Sequence, residues 1–206
     1  MIKLLSVQIL FENRLINKMK TYISILRGIN VSGKNLIKID SLKEMYECLG
    51  FLNVKTYIQS GNVVFQSVET KLEELELLIS DGIFNRFTFN VPVFVREVSE
   101  LKDILARNPF LKEPEEDISK LHFTFLSKVP EKQYVESIGN SSYLPDRYFI
   151  TERTVYLFFP NGYGKTKLNN NFFENKLKVK ATTRNLRTLM ELVKLVDMHL
   201  PNDVSG

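Results

Sequence analysis

Cysteine, histidine and tryptophan are scarce in this sequence of 206 residues. It contains one cysteine, two histidines and no tryptophan. The single cysteine, Cys48, rules out an intramolecular disulfide, and together with His122 and His199 it supplies too few soft ligands for a zinc site. We therefore expect a protein of the reducing cytoplasm, with no metal and no cofactor.

Long apolar runs are also missing. No stretch approaches the roughly 18 apolar residues that a membrane-spanning helix needs, so we expect no membrane partner. The opening stretch MIKLLSVQILF faintly resembles a signal peptide, but Gln8 interrupts it, and Glu12 and Arg14 follow closely. We interpret residues 1–18 as an N-terminal extension. A net charge of +4 is compatible with an anionic partner without requiring one.

The apolar pattern after Met19 predicts the order β-α-β-β-α-β over residues 19–97. Helical segments follow a period of 3.6 residues, and the strand-like segments flank turns that contain glycine. The first predicted elements are a strand at 22–27 and a helix that begins at Asp40 with the capping box Ser41–Glu44 and ends at Gly50. A hairpin that turns at 60–62 follows. The last two elements are a helix with Leu72, Leu75, Leu78 and Ile79 on its apolar face and a strand at 91–96.

The same order recurs over residues 120–183. The predicted elements are a strand at 121–126, a helix from Pro130 to Ile138, a hairpin turning at Glu152–Arg153, a helix at 168–177 and a strand at 178–182. A linker with a helix occupies 98–119, and a C-terminal helix and tail occupy 184–206. The predicted fold class is α+β, with two ferredoxin-like α/β plaits in tandem plus the C-terminal helix.

The stretch LRGINVSGKN, at 26–35, nearly matches the phosphate loop G-x-x-x-x-G-K-[ST]. Asn35 stands where Ser or Thr would hold magnesium, and β-branched residues delay the following helix. We therefore expect no ATP hydrolysis. Two interpretations remain: a glycine-bent loop with an exposed lysine, or an anion site without magnesium formed by Arg27, Asn30, Lys34 and Asn35.

Two further stretches combine basic residues with flexible or polar ones. In FPNGYGKTKL, at 159–168, the glycines and Lys165 lie between a strand and a helix, as in a phosphate-binding loop or an ordinary turn. In ATTRNLRTL, at 181–189, Thr183 is predicted to cap the last helix, with Arg184 and Arg187 in its first turn. A solvated arginine face is the simpler interpretation, because cations there oppose the helix dipole unless an anion binds.

The sequence contains few residues in patterns that are typical of a catalytic site. Neither histidine has a Ser or Cys partner in a recognisable motif, and Cys48 is interpreted as a structural thiol. The strands at 121–126 and 154–158 are rich in aromatic residues but lack the RNA-binding consensus, which favours packing against another layer.

Together, LRGINVSGKN, YIQSGNVVF, FPNGYGKTKL and ATTRNLRT resemble the bacterial family known as domain of unknown function 1697. The resemblance runs from about Met19 to Val196, and it implies a duplicated ferredoxin-like fold but no activity, substrate or catalytic residue. The sequence departs from the family pattern at Leu186, where Trp is typical, and at Ser32, which is often Gly.

The function predicted from these observations is binding of a small anionic ligand, such as a phosphorylated metabolite or a nucleotide, without established catalysis. Nucleic-acid binding is the alternative, and an enzyme of unknown reaction is the third possibility; the sequence does not address the oligomeric state. The predicted ligand-binding residues are Arg27, Asn30, Lys34, Asn35, Lys165, Arg184 and Asn185.

Overall fold

The computed structural model describes residues 19–31, 33–59, 61–112, 117–139 and 143–199. The chain divides into two compact units, with the boundary between Val98 and Ser99. The predicted N-terminal extension lies outside the described residues. Within the described ranges, no helix is long and apolar enough to cross a membrane.

The first unit contains one four-stranded sheet and two helices. Its elements are β1 Met19–Leu26, α1 Ile39–Cys48, β2 Leu52–Tyr57, β3 Asn62–Val68, α2 Leu72–Phe87 and β4 Val93–Glu97. The strand order is β2-β3-β1-β4, and all neighbours are antiparallel. This is the predicted plait, including the hairpin between β2 and β3.

Alternate residues of β1 form the core beneath the two helices of the first unit. Tyr22 and Leu26 are completely buried there, together with Tyr46 from α1 and Ile79 from α2. Ser24, between them on the same face, makes a hydrogen bond of 2.7 Å with the Tyr46 hydroxyl, which satisfies both buried polar groups.

Two details predicted for these helices are wrong. Helix α1 begins at Ile39 after Lys38, whose side chain makes no capping hydrogen bond, and Glu44 pairs with Arg86 of α2. The capping box is therefore not formed, because Ser41 lies inside the helix. On α2, Leu78 is exposed, because the buried face passes instead through Leu75, Ile79 and Ile83.

The second unit repeats this arrangement. Its elements are α3 Val98–Ala106, which starts at the boundary, β5 Leu121–Leu126, α4 Lys132–Glu136, β6 Arg147–Thr151, β7 Thr154–Phe158, α5 Asn170–Leu177, β8 Ala181–Asn185 and α6 Leu186–His199. The strand order is β6-β7-β5-β8, again with antiparallel neighbours. The predicted hairpin, turning at Glu152, is confirmed.

The last strand lies three residues later than predicted. Lys178 adopts a left-handed conformation (φ 56°) and ends α5, so β8 occupies Ala181–Asn185 rather than 178–182. Thr183 therefore belongs to the strand. The prediction that Thr183 caps the last helix is wrong. Asn185 performs that role, because its Oδ1 accepts a hydrogen bond of 2.9 Å from the backbone N–H of Thr188.

The aromatic residues of the second sheet are buried. Phe123 and Phe125 are fully buried, and Tyr156 and Phe158 are less than a tenth exposed. The prediction that these side chains pack against another layer is confirmed, and they do not form an open surface on which bases could stack.

Candidate functional site

The loop after β1 is held together by the side chain of Asn30. Its Nδ2 donates to the carbonyl oxygens of Ile37 at 3.0 Å and Gln59 at 2.9 Å, and its Oδ1 accepts from the Ile37 N–H at 2.8 Å. Asn30 has a positive φ of 53°, a conformation that asparagine tolerates better than most residues. These contacts give Asn30 a structural role in joining the loop to the β2–β3 turn.

Asn35 makes a similar internal contact. Its Nδ2 donates to the Gly28 carbonyl at 3.0 Å, its own carbonyl accepts from the Asn30 N–H, and the Lys34 N–H donates to the Val31 carbonyl. Helix α1 begins only at Ile39, so Lys34 does not lie at a helix N-terminus. The loop amides are directed inward, which is not the geometry of a phosphate loop.

The turn between β2 and β3 packs tightly on this loop. The Leu26 N–H donates to the Gly61 carbonyl at 2.7 Å, and a Cβ added at Gly61 would lie 2.8 Å from side-chain atoms of both Leu26 and Ile29. Glycine is therefore required at Gly61 for close approach as well as for its φ of 75°.

In the second unit, the loop after β7 places Tyr163 over His122. The two rings are stacked, with centroids 5.3 Å apart and an interplanar angle of 18°, and the buried Phe159 ring lies beside both. The loop turns through Gly162 (φ 86°), whose N–H donates to the Phe159 carbonyl, and continues into a 3₁₀ turn at Tyr163–Lys165. Lys165 is exposed on this turn.

His122 is held in one tautomer by its neighbours. Its Nδ1 lies 3.0 Å from the Lys120 carbonyl oxygen, which can only accept, so Nδ1 carries the proton. Burial lowers the pKa of His122 below its ordinary value, and the Lys120 carbonyl partly opposes this. The ring is therefore neutral at pH 7, with its lone pair on Nε2.

Arg184 lies near the end of β8, half-buried. Its Nη1 donates to Thr183 O at 2.8 Å and to Thr182 Oγ1 at 3.2 Å. Burial lowers the pKa of Arg184 to about 10, and the charge of Tyr163 opposes that shift. Arg184 is opposite Phe123 in the β5–β8 register, so its side chain lies on the other face of the sheet from His122. The guanidinium remains positively charged at neutral pH.

A chain of hydrogen bonds fixes the start of α5 against the sheet. Thr183 Oγ1 donates to Asn170 Oδ1 at 2.6 Å and lies 2.6 Å from Thr124 Oγ1. Because Asn185 is opposite His122 in the β5–β8 register, the loop that carries Tyr163 and the junction of β8 with α6 occupy the same end of this sheet. Both α5 and α6 begin at this end.

The charge of this region is strongly asymmetric. Residues 153–190 contain eight Lys or Arg and a single carboxylate, Glu174, which accepts a hydrogen bond from the Ala181 N–H, whereas the complete chain has 28 Lys or Arg and 24 Asp or Glu. Four of the eight, Lys165, Lys167, Arg184 and Arg187, lie in the segments 161–173 and 183–190 at this end of the sheet, and these segments contain no carboxylate. The region is therefore electropositive.

The predicted ligand-binding residues fall into two groups. Arg27, Asn30, Lys34 and Asn35 lie in the first unit, and Lys165, Arg184 and Asn185 lie in the second. The side chains of Asn30, Asn35 and Asn185 have structural hydrogen bonds.

Sequence reasoning missed the pairing of Tyr163 with His122. The two residues come from different elements, and the register of β5 with β7 and the turn at Gly162 bring them to the same place. An aromatic residue inside a Gly-x-Gly loop was the one available signal. Among the described residues, no group of His, Cys, Asp and Glu could hold a metal ion.

Comparison with known proteins gives a family and a fold. A family model described as "Protein of unknown function (DUF1697)" matches residues 19–156. A solved structure, the conserved bacterial protein SP0830 from Streptococcus pneumoniae, is similar with a TM-score of 0.66 and 22% identity, over 86% of this chain and 99% of that one. At this identity the likeness concerns the fold alone. No curated protein matches the chain.

Proposed function

The chain belongs to the DUF1697 family of proteins of unknown function, and we propose that its second unit binds a small phosphorylated ligand. The proposed site, which we call the β8 surface, comprises Tyr163, Lys165, Lys167, Arg184 and Arg187. The observation that carries the proposal is that the segments at this end of the unit, 161–173 and 183–190, contain Lys165, Lys167, Arg184 and Arg187 and no carboxylate.

The geometry of the β8 surface supports binding of an anion. Lys165, Lys167 and Arg187 are exposed, so they can reach a ligand in solvent, while Arg184 adds a positive charge at the same end of the sheet. Ammonium and guanidinium groups form charge-assisted hydrogen bonds with phosphate that are roughly twice as strong as neutral ones. The N-termini of α5 and α6, at the same end, add a favourable dipole.

A small ligand is favoured over nucleic acid. Nucleic-acid binding by a plait of this kind commonly uses exposed aromatic residues on the sheet, on which bases stack. In this chain Phe123, Phe125, Tyr156 and Phe158 are buried, so that platform is closed. The basic residues at one end of the unit are therefore better matched to a small phosphorylated ligand than to nucleic acid.

The proposal is tested by isothermal titration calorimetry with inorganic pyrophosphate, sugar phosphates and nucleotides. We expect at least one of them to bind, and the Lys165→Ala/Lys167→Ala double variant to bind about tenfold more weakly or worse, because hydrogen bonds to charged groups contribute about 1.5–3 kcal/mol.

The matched control is Lys176→Ala/Lys180→Ala, which removes the same charge from exposed positions near the opposite end of α5 and β8. Equal loss of affinity in both double variants would indicate a general charge effect and would contradict a site at the β8 surface. Absence of binding by every phosphorylated compound in the wild-type protein would also overturn the proposal.

A further inference from the structure

Tyr163 differs from the other aromatic residues around it in that its ring is both held in place and exposed. His122 covers one face, at 18° from parallel, and Phe159 lies beside the ring at 5.8 Å. Tyr163 nevertheless keeps 36% of its surface accessible. Part of the Tyr163 side chain is therefore open to solvent although the ring has two aromatic neighbours.

The backbone under Tyr163 is also fixed. The N–H groups of Gly162 and Lys165 donate to the carbonyls of Phe159 and Gly162 at 2.9 and 3.1 Å, so the turn is closed on itself. A ring held in this way loses little conformational entropy when a second ring stacks on it, which is the condition for an effective stacking partner.

Cationic groups border this ring. Lys165 follows Tyr163 in the same 3₁₀ turn, and Lys165 and Lys167 are both exposed. A molecule that stacks on Tyr163 therefore has its phosphate close to positive charge. The combination fits a ligand with a flat aromatic ring at one end and a phosphate at the other.

From this juxtaposition we infer that the ligand of the β8 surface is a nucleoside phosphate, whose base stacks on the accessible part of the Tyr163 ring while its phosphate binds Lys165 and Lys167. The inference rests on the proposed function and specifies its ligand class. Polynucleotides offer the same base and phosphate, but with the sheet aromatics buried, Tyr163 provides one stacking position rather than a series. A mononucleotide has one base, which matches the single stacking position.

The absence of tryptophan from the sequence allows a direct test. In Tyr163→Trp the new indole is the protein's only tryptophan, and its emission reports stacking at that position. AMP and GMP should quench it saturably, whereas ribose 5-phosphate should compete with them without quenching. Binding of AMP without any change in the indole emission would overturn the inference.

Affinity measurements by calorimetry provide the second arm. Tyr163→Leu should weaken AMP binding about 5-fold to 150-fold, from the usual strength of base–aromatic stacking, and should leave pyrophosphate binding unchanged. Tyr163→Phe should bind AMP like the wild type. The matched control, Phe149→Leu, alters an exposed aromatic residue on β6 and should change neither ligand.

Failure of this inference is distinguishable from failure of the proposed function. If pyrophosphate binds and needs Lys165 and Lys167, but AMP binds no better than ribose 5-phosphate, the anion site stands and base stacking is wrong. If oligo(A) binds much more tightly than AMP and with a steep salt dependence, the mononucleotide assignment is wrong and the surface serves a polynucleotide.

Discussion

Three asparagine residues that were predicted to bind a ligand, Asn30, Asn35 and Asn185, make side-chain hydrogen bonds to the backbone. Asn30 joins the first loop to the β2–β3 turn, and Asn185 caps α6. In the sequence they had been interpreted as ligand-binding groups because amides can both donate and accept. The structure gives each of them hydrogen bonds within its own unit, which leaves the lysines and arginines as the stronger candidates for ligand contact.

Replacing Asn30 by glycine should destabilise the protein by about 1–3 kcal/mol. The change removes three hydrogen bonds and leaves the Ile37 N–H without its acceptor, while glycine still permits the positive φ of residue 30. Urea unfolding followed by circular dichroism measures the effect. Lys34→Ala, on the same loop but exposed, should stay within about 0.5 kcal/mol of wild type.

The burial of His122 should make stability fall as the solution is acidified. Because its pKa is lowered in the folded state from an ordinary 6.5, the unfolded chain takes up the proton first, so stabilisation is complete above pH 6.5 and is lost progressively below it. The free energy of unfolding should therefore drop between pH 7.5 and 5.5 more in wild type than in His122→Phe, which keeps a stacking ring. His199 is present in both proteins. If the wild type and His122→Phe lose the same free energy of unfolding over this pH range, the prediction is wrong and folding does not lower the pKa of His122.

At the scale of elements, the sequence predicts the order of the strands and helices well, but it predicts poorly the residues at which they begin and end. The two hairpins are marked by glycine or by alternating apolar residues, and both formed as predicted at Gly61 and Glu152. The register of β8 was missed because the left-handed residue that ends α5 is Lys178, and a lysine carries no signal for that conformation. The error moved Arg184 from a helix to a strand.

Loss of the cap on α6 should be measurable on its own. Asn185→Ala should cost about 0.5–2 kcal/mol, because the Thr188 N–H loses its acceptor at the first turn, and Asn185→Ser should recover most of that. Thermal or urea unfolding of the two variants makes the comparison. If alanine and serine are equivalent at this position, the cap contributes nothing to stability.

For the molecule as a whole, the fold was accessible from sequence and the site was only partly so. The order of helices and strands can be predicted from each segment of the sequence separately, and this order repeats along the chain. Both units also have the same spatial order of strands in their sheets. A binding site depends on which side chains from distant segments meet, and the His122–Tyr163 stack depends on the register of β5 with β7 and on one turn. Charge was the exception, because the basic composition of 153–190 is visible in the sequence itself.

The location of the site can be measured directly by mapping backbone amide chemical shifts in ¹⁵N-labelled protein during titration with pyrophosphate. The account predicts saturable changes at residues 162–168 and 184–188, with the largest near Lys165. Shifts confined to the loop at 27–37, or no saturable shifts at 162–168, would contradict binding at the β8 surface.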